Sequence, residues 1–292
     1  MRRREARGLF SMIGGTRYQL RLEVNRQLRL ARDISRAQVE ISSGKKILAP
    51  SDDPAAAARI SDIGRSQSNE AGWRSNLDKA AAISAQADGV LTSLENVYRR
   101  AKELMVAAGN QILSDDDRNA IALELRSLSE HVSELRDTRD SRGELLFPVG
   151  AVNAIPVGAS LDLAPVATAD AVFDTVPSPF GNRNLVNILA DAATAVFGGA
   201  ATPIEALMEE VSAGVIHLAS MHAQQGARGN RIDSMIEQSE SFKIIMTEER
   251  KGLEDADITE VIARLQAKEL SLEAAQAALA RVNRSNLFDL LG

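Results

Sequence analysis

The chain has 292 residues, a net charge of −6 and 45% hydrophobic residues, but only 3% aromatics, a single tryptophan (Trp73) and no cysteine. The lack of cysteine excludes disulfides and thiol chemistry. The shortage of aromatic bulk argues against a substrate pocket and for thin helix-on-helix seams built from Ala, Leu, Ile and Val. Basic charge is concentrated at one end: residues 1–50 hold twelve Lys/Arg against four Asp/Glu, in a chain that uses 27 Arg to 7 Lys. No series of aromatics is interleaved there for base stacking, so the charge reads as a solvated helix face, with no nucleic acid as partner. No apolar run approaches the roughly 20 residues of a membrane span, so no membrane insertion is expected. Leu9–Phe10–Ser11–Met12–Ile13 is too short for the core of a cleavable signal.

In chain order, the first helical segment carries Leu20, Val24, Leu28, Ala31, Ile34, Ala37 and Ile41 at an average helical period. Ser42–Ser43–Gly44 ends it, with Gly44 suited to the position just past a helix. Asp53 is placed to cap the next helix, with Pro54 in its first turn. Along that helix Ile83, Ala87, Val90, Leu94, Val97, Ala101, Leu104 and Ala108 alternate steps of four and three. After Gly109–Asn110, Ser114 caps a further helix whose Asp115, Asp116 and Asp117 meet the positive end of its dipole. Its register is Ile121, Leu125, Leu128, Val132, Leu135.

Residues 142–203 differ in kind, because six of the eight prolines fall there. Ala151–Val152 and Ala171–Val172–Phe173 read as strands and Leu185–Val196 as a short helix, so this segment is expected to form a small β-rich lobe without a seam of its own. A third register then runs from Ile204 through Leu207, Val211, Gly214, Leu218 and Met221 to Leu253, with a polar lapse at Gln225–Arg228. At about 1.5 Å per residue this helix alone would be roughly 75 Å long. The last register is Ile258, Val261, Leu265, Lys268, Leu272, Ala275, Leu279, Val282, charged only at Lys268. The two terminal seams want partners and would supply one another, within a chain or between neighbours. The fold class expected is mainly α: an elongated antiparallel helical rod with coiled-coil termini and a small inserted lobe.

Nothing in the sequence composes a catalytic or metal site. His131, His217 and His222 are scattered, and His217 and His222 are five apart, not the four that would share a helical face. All three read as solvated helix residues. Asp52–Asp53 reads as a turn followed by a cap, and Asp115–Asp117 lack the glycine and distal glutamate of a calcium loop. Gly226-Ala227-Arg228-Gly229-Asn230 interrupts a helical pattern and follows no strand, so it is no phosphate cradle. Its glycines would instead let helices approach or bend. The chain is expected to be no enzyme and to use no cofactor.

Several stretches resemble a known family. Ser42-Ser43-Gly44-Lys45-Lys46-Ile47 followed by Pro50-Ser51-Asp52-Asp53-Pro54-Ala55-Ala56 is similar to the N-terminal segment of the bacterial flagellins. Within the family the Pro-Ser-Asp-Asp-Pro form resembles the hook–filament junction proteins, where filament flagellins read Lys-Asp-Asp-Ala-Ala-Gly. Leu113-Ser114-Asp115-Asp116-Asp117-Arg118 and Gly143-Glu144-Leu145-Leu146-Phe147 continue the likeness. So do Gly226-Ala227-Arg228-Gly229-Asn230-Arg231 and the stretch from Ala256-Asp257 to Leu287-Phe288 and Leu291. The family's start falls near Met12, which leaves residues 1–11 either an upstream start or a basic extension.

The resemblance implies an extracellular structural subunit of the bacterial flagellum, exported without a cleavable signal and joining hook to filament. It implies terminal coiled-coil segments at 1–50 and 254–292, rod helices at 51–141 and 204–253, and a variable lobe at 142–203. Termini without partners in the free chain would pair on assembly, with Leu20, Val24, Leu28, Ile258, Val261, Leu265, Leu272, Leu279 and Val282 as the assembly seam. Implied partners are further copies of the chain, the adjoining hook-junction protein, filament flagellin, and a type III export chaperone near the C-terminus. A minor filament flagellin, or a flagellin-like surface adhesin holding a ligand on the lobe, stays open as an alternative.

Overall fold

The structure, a computed structural model, describes the backbone of residues 2–109, 113–178, 181–198 and 203–288, and the side chains of these from 18 to 281, residue 19 apart. The described residues form six α-helices: α1 (Arg2–Ser43), α2 (Pro54–Ala108), α3 (Asp115–Arg136), α4 (Leu185–Val196), α5 (Ile204–Glu254) and α6 (Ile258–Phe288). Two antiparallel hairpins lie between α3 and α4: β1 (Ile155–Gly158) with β2 (Leu161–Leu163), and β3 (Val176–Ser178) with β4 (Gly181–Arg183).

The helix ends follow the local chemistry. Gly44 takes φ +69°, a conformation a side chain resists, and its N–H bonds back to the Glu40 carbonyl at 2.9 Å. Asp53 Oδ1 accepts from the Ala55 and Ala56 N–H groups at 3.1 and 3.0 Å, and Pro54 opens α2. Ser114 Oγ accepts from the Asp117 N–H at 3.2 Å, with three aspartates in the first turn of α3.

The chain divides into two compact units, Met1–Arg65 with Ile245–Gly292, and Ser66–Ile244. The second unit holds the main core. Ala87, Val90, Leu94, Val97, Ala101, Leu104 and Ala108 of α2 are buried there, as are Leu125 and Val132 of α3 and Leu207, Val211 and Leu218 of α5. These are the heptad positions read from the sequence.

The inserted lobe departs from the reading. Residues 146–196 share the core of the helices and do not form a separable appendage: Leu146, Phe147, Val172, Phe173, Leu185, Ile188 and Leu189 lie in the same buried cluster. Phe147 and Phe173 meet edge to face with centroids 5.6 Å apart. The Tyr98 hydroxyl donates to the Leu185 carbonyl at 2.6 Å, Ser129 Oγ donates to the Val186 carbonyl at 2.9 Å, and α3 packs along α4. The expected strands also move. Ala171–Phe173 lies in a single π-helical turn, Asp170–Asp174, because Val172 and Phe173 must both point inward. A strand would have sent them to opposite faces. Ala151–Val152 belongs to no strand, whereas the helix expected at Leu185–Val196 is α4.

The polar lapse in the third register is also an internal feature. Gln225 is 1% exposed, and its Nε2 donates to Ser84 Oγ at 2.8 Å and to the Pro165 carbonyl at 3.0 Å, tying α5 to α2 and to the lobe. Close helix approach occurs at Gly214 and not at Gly226: a Cβ at Gly214 would overlap the Tyr98 ring, whereas one at Gly226 would meet nothing within 4 Å. Bending at Gly226 and Gly229 does not interrupt α5, which runs through both.

Because the lobe supplies fully buried rings to the helical core, Phe173→Ala is expected to destabilise the second unit by about 3–5 kcal/mol. Thermal melting of the full chain measures it. A shift no larger than that of an exposed-site control such as Leu161→Ala would mean that the lobe is an appendage after all.

Candidate assembly interface

The first unit has a thin apolar core. Its buried hydrophobic residues among those described are Ala37, Ile63, Val261 and Ala275, against several dozen in the second unit. Polar contacts supplement it, and they converge on the motif stretch around residues 44–54.

There the connectors that follow α1 and α5 meet. The Lys46 N–H donates to the Glu254 carbonyl at 2.8 Å, and the Ala256 N–H donates to the Gly44 carbonyl at 2.9 Å. Together with the Lys45–Asp255 bridge this makes one antiparallel step between segments over 200 residues apart. Side chains reinforce it: Lys46 Nζ donates to the Gly252 carbonyl at 2.8 Å, and Lys45 Nζ lies 3.0 Å from Glu254 Oε2. Arg250 Nε reaches the other Glu254 oxygen at 3.0 Å. Burial pushes the Glu254 carboxyl up, but the hydrogen bonds from Lys45 and Arg250 outweigh it and leave the group below its ordinary value.

Asp52 shapes the turn itself. Its Oδ2 accepts from the Leu48 and Ala49 N–H groups, each at 3.0 Å, and its Oδ1 lies 2.9 Å from Arg36 Nη2 on α1. The two backbone bonds first, then Arg36, hold this carboxyl below the usual carboxylate range. Ser51 is an exposed turn residue, and Asp53 and Pro54 start α2. Arg59 forms a two-pronged pair with Glu249, Nε to Oε1 at 2.6 Å and Nη2 to Oε2 at 2.9 Å, joining the start of α2 to the end of α5.

Beyond the clasp α6 runs antiparallel along α1, since Glu40 pairs with Arg264 and Asp33 with Lys268 (2.6 Å). On α6 the inward positions are Val261 and Ala275, buried, with Leu265, Lys268, Leu272 and Leu279 half-buried; Ile258 is exposed at the margin. The side chain of Val282 lies outside the described residues. On α1 the less exposed positions are Glu23, Gln27, Leu30, Ile34, Ala37, Glu40 and Ile41. Leu20, Val24 and Leu28, expected in the pairing seam, are exposed at 42%, 42% and 51% and do not face α6. The reason is the phase of the register: the steps of four from Leu20 to Leu28 drift around the helix away from Ile34 and Ala37.

The C-terminal motif lies elsewhere. Gly226, Asn230 and Arg231 are exposed on α5 in the second unit, and the Asn230 carbonyl accepts from Ser234 Oγ. Two of the three histidines are not solvated as expected. His217 is buried with Nε2 3.1 Å from the Val172 carbonyl. His222 is half-buried between two acids of α2, Nδ1 2.9 Å from Glu95 Oε1 and Nε2 3.1 Å from Asp88 Oδ1. The bond to Glu95 is the main cause that raises its pKa above the ordinary histidine value. His131 is exposed beside Glu134.

No group of His, Cys, Asp or Glu that could hold a metal ion occurs among the described residues. No helix among them is long and apolar enough to cross a membrane. A depression of about 570 Å³ beside α5, lined by Ala171, Thr175, Pro177, Ile216, His217 and Met221, presents no set of convergent charges. The arrangement offers faces and not a reaction centre.

The comparisons with known proteins follow the same division of the chain. The bacterial flagellin N-terminal helical region matches residues 20–148, and the bacterial flagellin C-terminal helical region matches residues 208–291. Flagellar hook-associated protein 3 of Escherichia coli is 24% identical over 287 residues, covering 86% of this chain and 90% of that one. A flagellin of Bacillus subtilis is 24% identical over 284 residues with the same coverage. Among solved structures, a flagellar hook-associated protein of Vibrio parahaemolyticus aligns with a TM-score of 0.63 at 17% identity, over 70% of this chain and all of that one. Flagellar hook-associated protein-3 of Legionella pneumophila aligns with a TM-score of 0.55 at 17% identity, over 66% of this chain and 98% of that one.

Two pH responses follow from these contacts. Asp52, Glu249 and Glu254 are held below their ordinary values, so their stabilisation is complete above the unfolded carboxylate range of about pH 4. It is lost as the pH falls through the lowered values. Protease digestion on acidification should therefore cut the 44–53 connector first, and Asp52→Ala should bring that cleavage to neutral pH; equal cleavage rates would disprove the clasp. His222 has the opposite sign. Its stabilisation is complete below about pH 6.5 and is lost as the pH rises through the raised value. His222→Gln should flatten the melting temperature of the second unit across that range.

Proposed function

The chain belongs to the bacterial flagellin family and is a structural subunit of the flagellum resembling the hook–filament junction protein, and on that premise we propose that it joins hook to filament itself. The observation that carries the proposal is the clasped terminal pair. It brings the two ends of the chain together, yet leaves Leu20, Leu22, Val24 and Leu28 of α1 and Ile262 and Leu270 of α6 open to solvent. Of these, Leu20, Val24 and Leu28, spaced by four on α1, form an apolar strip suited to burial against another subunit. In this reading α1 and α6 supply the faces that meet neighbouring subunits.

Its partners would be copies of itself, the adjoining hook-junction protein and filament flagellin, and its place the outside of the cell. Export would proceed through the flagellar type III apparatus without a cleaved signal, with a chaperone shielding the apolar C-terminal helix. Pro50-Ser51-Asp52-Asp53-Pro54, which resembles the junction form of the family motif, favours the junction over the filament. A filament flagellin is the rival, because the Bacillus subtilis flagellin matches at the same identity and coverage as the Escherichia coli hook-associated protein 3.

Electron microscopy of a deletion strain separates the two. Hooks without filaments are the expected result, and intact filaments would end the junction reading. At residue level, Val24→Ala combined with Leu28→Ala should leave the melting of the purified chain unchanged, because both side chains are exposed, while filament attachment in cells drops. Normal attachment would mean that this face stays wet in the assembly.

A further inference from the structure

The depression beside α5 contains a buried histidine that uses only one of its ring nitrogens in the fold. Ala213, Ile216, His217, Ser220 and Met221 alternate steps of three and one, which places them on one stripe of α5. Ala171 and Pro177 bring the inserted lobe to the same depression, so it belongs wholly to the second unit. Its volume, about 570 Å³, falls in the roughly 300–1,000 Å³ range of small-molecule sites.

Local sequence fixes the state of that histidine. In the π-helical turn Asp170–Asp174 a carbonyl bonds to the N–H five residues on, and for Val172 that residue is Pro177, which has none. The Val172 carbonyl takes His217 Nε2 instead, at 3.1 Å. A carbonyl can only accept, so Nε2 carries the proton and the neutral ring presents Nδ1 as an acceptor. His217 is 8% exposed, and Nδ1 has no partner among the described residues. Since the ring lines the depression, Nδ1 is the atom that a donor bound there would meet. The Thr175 hydroxyl does not compete, because it donates to the Asp170 carbonyl at 3.0 Å. No Asp, Glu, Lys or Arg lines the depression, and at its rim Ile216 is 72% exposed.

We propose that this depression is a binding site for a small uncharged phenol, its ring on Pro177, Ile216 and Met221 and its O–H donated to His217 Nδ1. The chemistry of the lining selects this class. A hydrocarbon would leave Nδ1 desolvated and unpaired, which costs affinity. A carboxylate would bring a charge without a counter-ion and set one lone pair against another. A phenol supplies one donor on an apolar body, and its ring gains from contact with the Met221 sulfur. The site does not depend on whether the chain joins hook to filament.

Saturation-transfer NMR and titration calorimetry on the full chain at pH 8 test the site with p-cresol and with 4-methylanisole, whose ether has no O–H. The expected dissociation constant for p-cresol is on the order of 1 mM, with the ether about fivefold weaker. Ser220→Trp, at an exposed position of the stripe, fills the depression and should abolish p-cresol binding while the melting curve stays unchanged. His217→Gln keeps a donor for the Val172 carbonyl but moves the acceptor, and should erase the preference for p-cresol over the ether. The site is overturned by equal binding of the two probes to wild type, or by no p-cresol binding at about 10 mM. Binding that survives Ser220→Trp, or a preference that persists in His217→Gln, overturns it as well. N-acetyl-tyrosinamide binding more tightly than p-cresol would make a protein's tyrosine the occupant and overturn the free phenol.

Discussion

The antiparallel step between Lys45–Lys46 and Glu254–Ala256 is the contact on which the terminal unit depends. Two backbone hydrogen bonds join segments over 200 residues apart, and the entropy of closing so long a loop opposes them. They persist because each connector is already shaped locally. Gly44 turns the chain out of α1, Asp52 holds the Leu48 and Ala49 N–H groups, and Glu254 gathers Lys45 and Arg250. With both connectors pre-formed, α1 and α6 leave the clasp side by side and antiparallel.

The two units are stabilised by different physics. The second buries fully enclosed Tyr98, Phe147, Phe173, Leu94 and Leu125, and its few internal polar groups act as pins between elements, as Gln225 does between Ser84 and Pro165. Such a core gains from burial of apolar area and responds weakly to salt. The first unit buries little apolar surface and adds ion pairs between half-exposed partners, which solvent and salt screen. The second unit thus rests on its own apolar core, whereas the first relies more on contacts that salt and pH can weaken.

Function here is a property of faces. The acids and histidines that might have marked a reaction centre are engaged in caps, turns and pairs: Asp53 and Ser114 cap helices, Asp52 sets a turn, and His222 lies between Asp88 and Glu95. Aliphatic side chains stay open to solvent on α1 and α6, Leu20, Val24 and Leu28 on the one and Ile262 and Leu270 on the other. The family to which the chain belongs builds flagellar structures.

The sequence by itself determined the helices, their caps and breaks and the family, because all of these rest on local chemistry or on periodic spacing that one chain displays. It also pointed to residues 44–54, although the motif alone could not say that Asp52 ties a turn or that Lys45 meets Glu254. Tertiary structure decided which partner each face meets. Leu20, Val24 and Leu28 read as seam but face solvent, since a run of steps of four drifts out of phase with Ile34 and Ala37, and only the position of α6 chooses the phase. The lobe read as having no seam of its own because proline density hides burial; only folding shows Phe173 and Leu185 inside the helical core. Gln225 read as a lapse because its acceptors, Ser84 and Pro165, lie 141 and 60 residues away. Periodicity reports that a face is apolar; it carries no information about what covers that face.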